Sequence, residues 1–223
     1  GIIANPNCST IIMVMALKPI YDLAKIKRVI VSTYQAVSGA GKEGIDELDA
    51  QVRDHSEGRE MTANILPSAS AEKHYPIAFN LIPQIDVFCD NLYTKEEMKM
   101  VSETKKIMED YEMRITATTI RVPVYRSHSE SVNIELEKEV DLGAMREALA
   151  KFPGVTVQDD PSKQEYPMPL YTSEKDDVYV GRLRRDESCE KSYNMWVVGD
   201  QIRKGAALNT LQIAETMIKN GWI

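Results

Sequence analysis

The segment Asn5-Pro6-Asn7-Cys8-Ser9-Thr10, followed by the apolar run Ile11-Ile12-Met13-Val14-Met15-Ala16-Leu17, constrains this chain more than any other stretch. A short polar side chain ahead of an apolar run starts a helix, because its oxygen accepts one of the first unpaired backbone N–H groups. The pattern predicts a helix over 9–24, with Pro19 as a kink. It also puts the Cys8 thiol at the positive end of that helix, where exposed N–H groups and the dipole favour a thiolate. Two readings stand for such a cysteine: a nucleophile awaiting an electrophile, or a small buried residue beside a cap.

The chain has 223 residues, which bounds it to one large domain or one domain with an appendage. An apolar content of 43% and a charged content of 27% suit a soluble globular protein. No apolar stretch is long enough to cross a bilayer, and Gly1-Ile2-Ile3-Ala4 lacks the features of a secretory leader. No membrane partner is therefore expected. A net charge of −7 argues against nucleic acid as the partner. It leaves room for a small anion held by a local cluster of Arg and Lys. Cys8, Cys89 and Cys189 are widely separated, with no zinc spacing and no disulfide framework. This cysteine usage points to a reducing, cytoplasmic setting and to no metal.

Residues 26–35 are β-branched and predict a strand. Ser38-Gly39-Ala40-Gly41 reads as a turn, 42–56 as a polar helix, and 60–90 as irregular, with Pro67, Pro76 and Pro83 blocking helix. Thr94 and Glu97 form a capping-box pattern that opens a helix to about Tyr111. Strands are predicted over 114–124 and 128–137, a helix over 141–151, and strands over 155–158, 178–183 and 194–198. A last helix runs from about 200 to 219 and stops at Asn220-Gly221. Strands outnumber crossover-length helices, so the expected class is α+β, with a mixed, largely antiparallel sheet and helices on one face. No G-x-G-x-x-G follows a strand, and no dinucleotide-binding fold is expected within these residues.

A thiol nucleophile needs a proton acceptor. His128 lies in a loop between two strands, beside Arg121 and Arg126, whereas His55 and His74 sit in polar surroundings. On spacing alone, His128 serves equally as a base or as an ordinary buried imidazole. Arg121 is able to fork onto a carboxylate or phosphate, or to end in a surface ion pair. Glu96 and Lys99 are i, i+3 neighbours, and an exposed ion pair is the plainer reading. Gln35 ends a strand just before a glycine turn that lets backbone approach a flat ligand.

Taken together, six segments resemble the aspartate-β-semialdehyde dehydrogenase family. They are Asn5–Thr10, Thr33–Gly41, Asn80–Ile85, Glu96–Lys99, Arg121–Ser129 and Gly199–Ala207, in the family's order along the whole chain. The resemblance implies a glyceraldehyde-phosphate-dehydrogenase-like C-terminal domain. It implies NADPH-dependent reduction of aspartyl phosphate to aspartate semialdehyde and phosphate, an early step toward lysine (through diaminopimelate), threonine and methionine. It implies that Cys8 forms a thioester, His128 is the acid/base group, and Gln35 orients the acyl group. Arg121 then clamps the substrate carboxylate, Glu96 receives the ammonium, and Lys99 and Asn7 contact phosphate. Ser38 and Gly39 line the nicotinamide, and Gln201 reaches the cofactor from the final helix. A homodimer or homotetramer is implied as well.

The family's nucleotide-binding domain, with its glycine-rich loop, is not among these residues. The reading is therefore a catalytic and dimerisation domain over 1–199 and, over 200–223, a C-terminal helix that packs on that nucleotide-binding domain. Little turnover is expected from these residues alone. Two rivals remain at this point. One is a related acyl-phosphate reductase such as N-acetyl-γ-glutamyl-phosphate reductase. The other is a non-catalytic oligomerisation module in which Cys8 merely packs.

Overall fold

The computed structural model describes residues 1–223. Helix α1 (Cys8–Leu23) begins at the cysteine itself and is capped by Asn7, whose Oδ1 accepts the N–H groups of Ser9 at 3.0 Å and Thr10 at 3.1 Å. The helix thus starts one residue earlier than the pattern predicts, with Asn7 rather than Ser9 or Thr10 as its cap. Pro19 lies inside the helix.

Six strands form one sheet in the order β2-β1-β3-β6-β5-β4. They are β1 (Ile26–Gln35), β2 (Arg114–Arg121), β3 (His128–Leu136), β4 (Val155–Val157), β5 (Val178–Arg185) and β6 (Ser192–Gly199). The β1/β2 and β4/β5 pairs are parallel, and the three pairs between them are antiparallel. The expected mixed α+β sheet is what forms. Helices α1, α3 (Lys95–Ile107) and α4 (Leu142–Lys151) cover one face. Alternate strand residues point there, among them Val29, Val31, Val132, Ile134, Met195 and Val197, and they meet Ile12, Met13, Ala16, Leu17 and Ile20 of α1 in the main core.

A smaller core lies under α2 (Lys42–Ser56), where Leu48 packs with Val37, Leu66, Ile77 and Ile82. The proline-rich stretch over 60–90 folds onto this helix without regular structure. Buried Gln51 ties it down: its Oε1 accepts the N–H groups of Ile77 and Ala78, and its Nε2 donates to Thr62 O. This packing steadies the tight turn Val37–Ala40 that follows β1.

The capping box at α3 forms as the pattern predicts, and it does more than start a helix. Glu97 Oε2 accepts the Thr94 N–H at 2.7 Å, while its Oε1 accepts the Thr119 N–H of β2 at 2.9 Å. One buried carboxylate therefore fixes the first turn of α3, which carries Glu96, against the strand that carries Arg121. Glu97→Ala leaves two buried N–H groups unpaired and should cost about 2–6 kcal/mol in chemical denaturation, at about 1–3 kcal/mol per orphaned group. A loss below about 0.5 kcal/mol would show that the strand contact is dispensable.

Three boundaries differ from the pattern. Helix α3 stops at Ile107 rather than near Tyr111. Strand β2 stops at Arg121, before Pro123. The last helix, α6 (Leu208–Lys219), starts eight residues later than expected, after a π-turn at Arg203–Ala207. A short helix α5 (Pro169–Thr172) was not read from the sequence. No residue of α6 is buried, and Leu211 and Ile218 are exposed.

Candidate active site

Sheet register brings the chemistry together. Gln35 at the end of β1 is paired with Arg121 at the end of β2. Tyr34 pairs with Ser129, so His128 begins β3 one step further along, and it faces Gly199 of β6. Arg121, Gln35 and His128 thus end three neighbouring strands, all buried. The N-terminus of α1 lies over this row: a Cβ on Gly199 would stand 3.0 Å from Ile12, and one on Gly205 would stand 3.0 Å from the Cys8 Cβ. Gly205 belongs to the turn after β6, so the last elements of the chain close over the first helix.

Arg121 is the charge that the other groups share. It is 3% exposed and forms no ion pair. Its Nη1 donates to Ala36 O at 2.6 Å, and its Nε has no partner. It acts on both Cys8 and His128. A Cβ on Gly39 would fall 2.7 Å from Arg121 Nη1 and 3.4 Å from His128 Nε2, so only glycine lets the turn pack this closely against both side chains.

Glu96 gathers the remaining predicted residues. Its Oε1 accepts from Asn7 Nδ2 at 2.9 Å and from Gln35 Nε2 at 3.3 Å, and its Oε2 lies 3.6 Å from Lys99 Nζ. Lys99, 45% exposed in its side chain, also pairs with Asp86 at 3.2 Å. The exposed-ion-pair reading of Glu96 fails, because Glu96 is buried. Asn7 is occupied at both ends of its amide, capping α1 and holding Glu96. Glu103, unrecognised in the sequence, accepts the Asn7 backbone N–H at 2.8 Å.

Gln201 Nε2 donates to Ser38 Oγ, and its Oε1 accepts the Ser127 N–H at 2.9 Å. Gln201 therefore reaches Ser38 as expected, but from the turn before the π-turn rather than from the last helix. Buried Asp200 builds that turn. Its Oδ1 accepts the N–H groups of Ile202 and Arg203, and its Oδ2 pairs with Arg126 Nε at 2.7 Å.

One electrostatic expectation needs correction. The helix N-terminus does not make Cys8 a ready thiolate: burial, and then the Glu96 carboxylate, push its thiol up to about 12, against the downward pull of Arg121 and the Ser9 hydrogen bonds. Loss of water and a neighbouring anion outweigh the helix dipole. Rapid alkylation near neutral pH is therefore not expected of the free protein. Burial and the Arg121 cation hold the His128 pKa well below the ordinary imidazole range, and its ring is neutral.

Glu130, two residues along β3 on the same face, is fully buried, and neither of its carboxyl oxygens has a partner. Burial raises its pKa well above the carboxylate range. In the unfolded chain it ionises above about pH 4.3, whereas in the fold it resists. Stability must therefore fall as pH rises from that point toward the raised folded value. Glu130→Gln should flatten this slope, with a gain at about pH 8 that exceeds any gain at about pH 4 by at least about 1 kcal/mol. Equal effects at both pH values would show an ionised Glu130. The sequence carried a signal for this residue, because Glu130 is in phase with Val132, Ile134 and Leu136, the apolar alternation of the strand.

The larger grooves lie elsewhere. One of about 930 Å³ runs beside α6, between Ile3, Phe152, Lys204 and Trp222, and another lies on the uncovered sheet face around Trp196. No helix is long and apolar enough to cross a membrane.

A mixed sheet layered with helices on one face, with a cysteine at the N-terminus of the covering helix, defines the glyceraldehyde-phosphate-dehydrogenase-like C-terminal class. Within that class, the family model for the semialdehyde dehydrogenase dimerisation domain matches residues 17–204. The chain belongs to this family. It is 55% identical over 223 residues to aspartate-semialdehyde dehydrogenase of Aquifex aeolicus, covering 100% of this chain and 64% of that protein. It is 51% identical over 220 residues to the Bacillus subtilis enzyme of that name, covering 98% of this chain and 64% of that protein. The crystal structure of aspartate semialdehyde dehydrogenase II from Vibrio cholerae complexed with ASA superposes with a TM-score of 0.90 at 45% identity, covering 97% of this chain and 62% of that one. The chain thus spans a little under two thirds of the length of the relatives it matches.

Proposed function

We propose that this chain carries the acyl-enzyme half of aspartate-semialdehyde dehydrogenase. One observation carries the reading: a buried guanidinium in no ion pair, Arg121, acts electrostatically on both Cys8 and His128 and packs with His128 against Gly39. A buried cation without a counter-ion is costly and invites an anionic ligand. The Cys8 thiol attacks the acyl carbon of aspartyl phosphate, the C–O bond to phosphate breaks, a thioester forms, and the thiol proton leaves with the phosphate. Arg121 takes the substrate carboxylate. Glu96 takes the ammonium, in place of contacts it now makes with Asn7, Gln35 and Lys99. Gln35 orients the acyl group, and Lys99, with Asn7 beside it, meets the phosphate at the exposed rim. His128 serves the acyl oxygen.

An anion at Glu96 favours a free ammonium over an acetylated amine, which sets this reading above the N-acetyl-γ-glutamyl-phosphate reductase alternative. The Ser38–Gln201 pair and the side-chain-free Gly39 fit a flat ring laid against the turn, and NADPH bound there would supply the hydride. Residues 200–207 belong to the site through Asp200, Gln201 and Gly205. Within the proposed split at residue 199, only α6 stands free to pack on a nucleotide-binding domain. A cytoplasmic setting accords with three free cysteines.

The cofactor-independent half-reaction tests the reading. Mixed with aspartyl phosphate and quenched in acid, the protein should gain the mass of one aspartyl acyl group on the Cys8 peptide and release phosphate without any nicotinamide. Absence of that adduct would remove the proposal and favour the non-catalytic module.

The uncovered sheet face fits self-association. Tyr34 and Trp196 stack there with centroids 5.5 Å apart, flanked by exposed Ser131, Arg182 and Arg184. Trp196→Asp should shift a dimer to monomer in sedimentation velocity, while an unchanged species would place the interface elsewhere.

A further inference from the structure

Every polar group of Asn7 has a partner, and helix α3 supplies two of those partners. The Asn7 Oδ1 and carbonyl oxygen serve α1 itself, accepting the N–H groups of Ser9, Thr10 and Ile11. Its Nδ2 donates to Glu96 Oε1 at 2.9 Å, and its backbone N–H donates to Glu103 Oε2 at 2.8 Å. Glu96 and Glu103 stand about two turns apart on α3, at about 3.6 residues per turn, and so share one of its faces. The start of the cysteine-bearing helix is thus tied to its neighbour by two carboxylates, both placed where they complement the helix dipole.

The two carboxylates are not equivalent. Glu96 is buried and divides itself among Asn7, Gln35 and Lys99. In the proposed reaction the substrate ammonium competes for it, and the Asn7 side chain is one of the contacts at stake. Glu103 forms no ion pair, and its carboxylate makes a single hydrogen bond, to the Asn7 backbone. A bond to the backbone N–H fixes the chain immediately ahead of Cys8, whereas a bond to the side-chain amide fixes only a rotamer.

We propose that Glu103 is a positioning residue that keeps Cys8 in place while Glu96 turns to the substrate: it anchors the Asn7 backbone through a contact that the ammonium does not contest. The exchange at Glu96 rests on the acyl-enzyme reading, but the anchor itself does not.

Charge and geometry support this division. Glu96 is among the groups that push the Cys8 thiol up, and Glu103 is not. Glu103 therefore holds the helix start without opposing the ionisation of the sulfur. The demand for an anchor is geometric. Helix ends fray, and a displacement of about 1 Å in a reacting group costs about 10²-fold in rate. With Glu96 committed to a ligand and Glu103 removed, nothing on α3 would hold Asn7.

Two variants separate a hydrogen-bond acceptor from a mere charge. Glu103→Ala removes the acceptor, and Glu103→Gln keeps a side-chain oxygen for the Asn7 N–H. Single-turnover acylation by aspartyl phosphate, read as mass on the Cys8 peptide, gives a limiting rate and a half-saturating concentration. Glu103→Ala should lower the limiting rate about 10–100-fold while the half-saturating concentration stays within about threefold and the same fraction of Cys8 is acylated at completion. Glu103→Gln should remain within about threefold of the parent in both. An unchanged rate in Glu103→Ala, a loss confined to half-saturation, or an equal loss in the two variants overturns the proposal. A second measurement needs neither substrate nor the alanine variant. Hydrogen exchange at the Asn7 backbone amide should agree within about threefold between the parent and Glu96→Gln, in which the Glu96 charge is neutralised as an ammonium would neutralise it. A loss of protection of about tenfold or more in Glu96→Gln would show that the anchor depends on Glu96 and overturns the proposal. If the parent forms no acyl adduct but the Asn7 amide stays protected in Glu96→Gln, the functional reading fails and the anchor stands. If the adduct forms and Glu103→Ala acylates like the parent, this inference alone fails.

Discussion

Cys8→Ser abolishes acyl-enzyme formation, with an expected fall of at least about 10⁴-fold in phosphate release from aspartyl phosphate. Serine keeps the helix N-terminus, the contact with Gly205 and the small volume, so folding is preserved. It lacks the reactivity that makes sulfur useful here. A thiol held up to about 12 in the free protein is a poor nucleophile until its surroundings change. In the proposed reaction the substrate would make that change: an ammonium placed on Glu96 would cancel the anion that is the second-largest cause of the raised value. A hydroxyl begins several orders of magnitude further from ionisation and gains too little from the same neutralisation. Acid-quench mass spectrometry on both proteins decides the matter. An adduct of comparable yield on the serine variant would place the nucleophile elsewhere.

Arg121→Lys lowers the rate of acyl transfer by about 10²–10³-fold, corresponding to a loss of about 3–4 kcal/mol in a buried charged contact. Lysine keeps the charge and most of the volume. It cannot hold Ala36 O with one nitrogen while presenting others to a carboxylate. The buried ammonium also lacks the planar fork needed to meet an anion at two points. The loss should appear in substrate affinity and in rate together, because the same group orients Ala36, whose N–H donates to His128 Nδ1. A variant within about threefold of the parent would remove Arg121 from substrate recognition.

Much of the architecture was legible along the chain. The β-branched run over 26–35, the polar helix over 42–56 and the capping box at Thr94 each follow local rules, and each forms within a residue or two of its predicted start. The beginning of the last helix was not legible. Asp200-Gln201-Ile202-Arg203-Lys204 reads as a good helical first turn, yet Asp200 spends its carboxylate on Arg126 and on local N–H groups. The chain then widens into a π-turn that sets Gly205 on Cys8. Burial across the sheet was equally hidden. Arg121 and Glu130 share the phase of the core-facing residues of their strands, but a charged residue at such a position reads as solvated until the covering layer is known. The thiol's chemistry was misjudged for the same reason: a helix terminus is a local signal, whereas the desolvation and the Glu96 anion that outweigh it come from nearly ninety residues away. Gln35, His128 and Arg121 were found through likeness to a family, and their convergence is a property of register rather than of spacing.

The closure of β6 and the turn after it over α1 has a consequence for biosynthesis. About 190 residues separate Ile12 from Gly199, so at about 5–20 residues per second a ribosome needs roughly 10–40 s to deliver the partner of that helix. Until then the nascent chain shows the apolar stripe of α1, and the Cys8 sulfur, to whatever chaperone or oxidant is at hand.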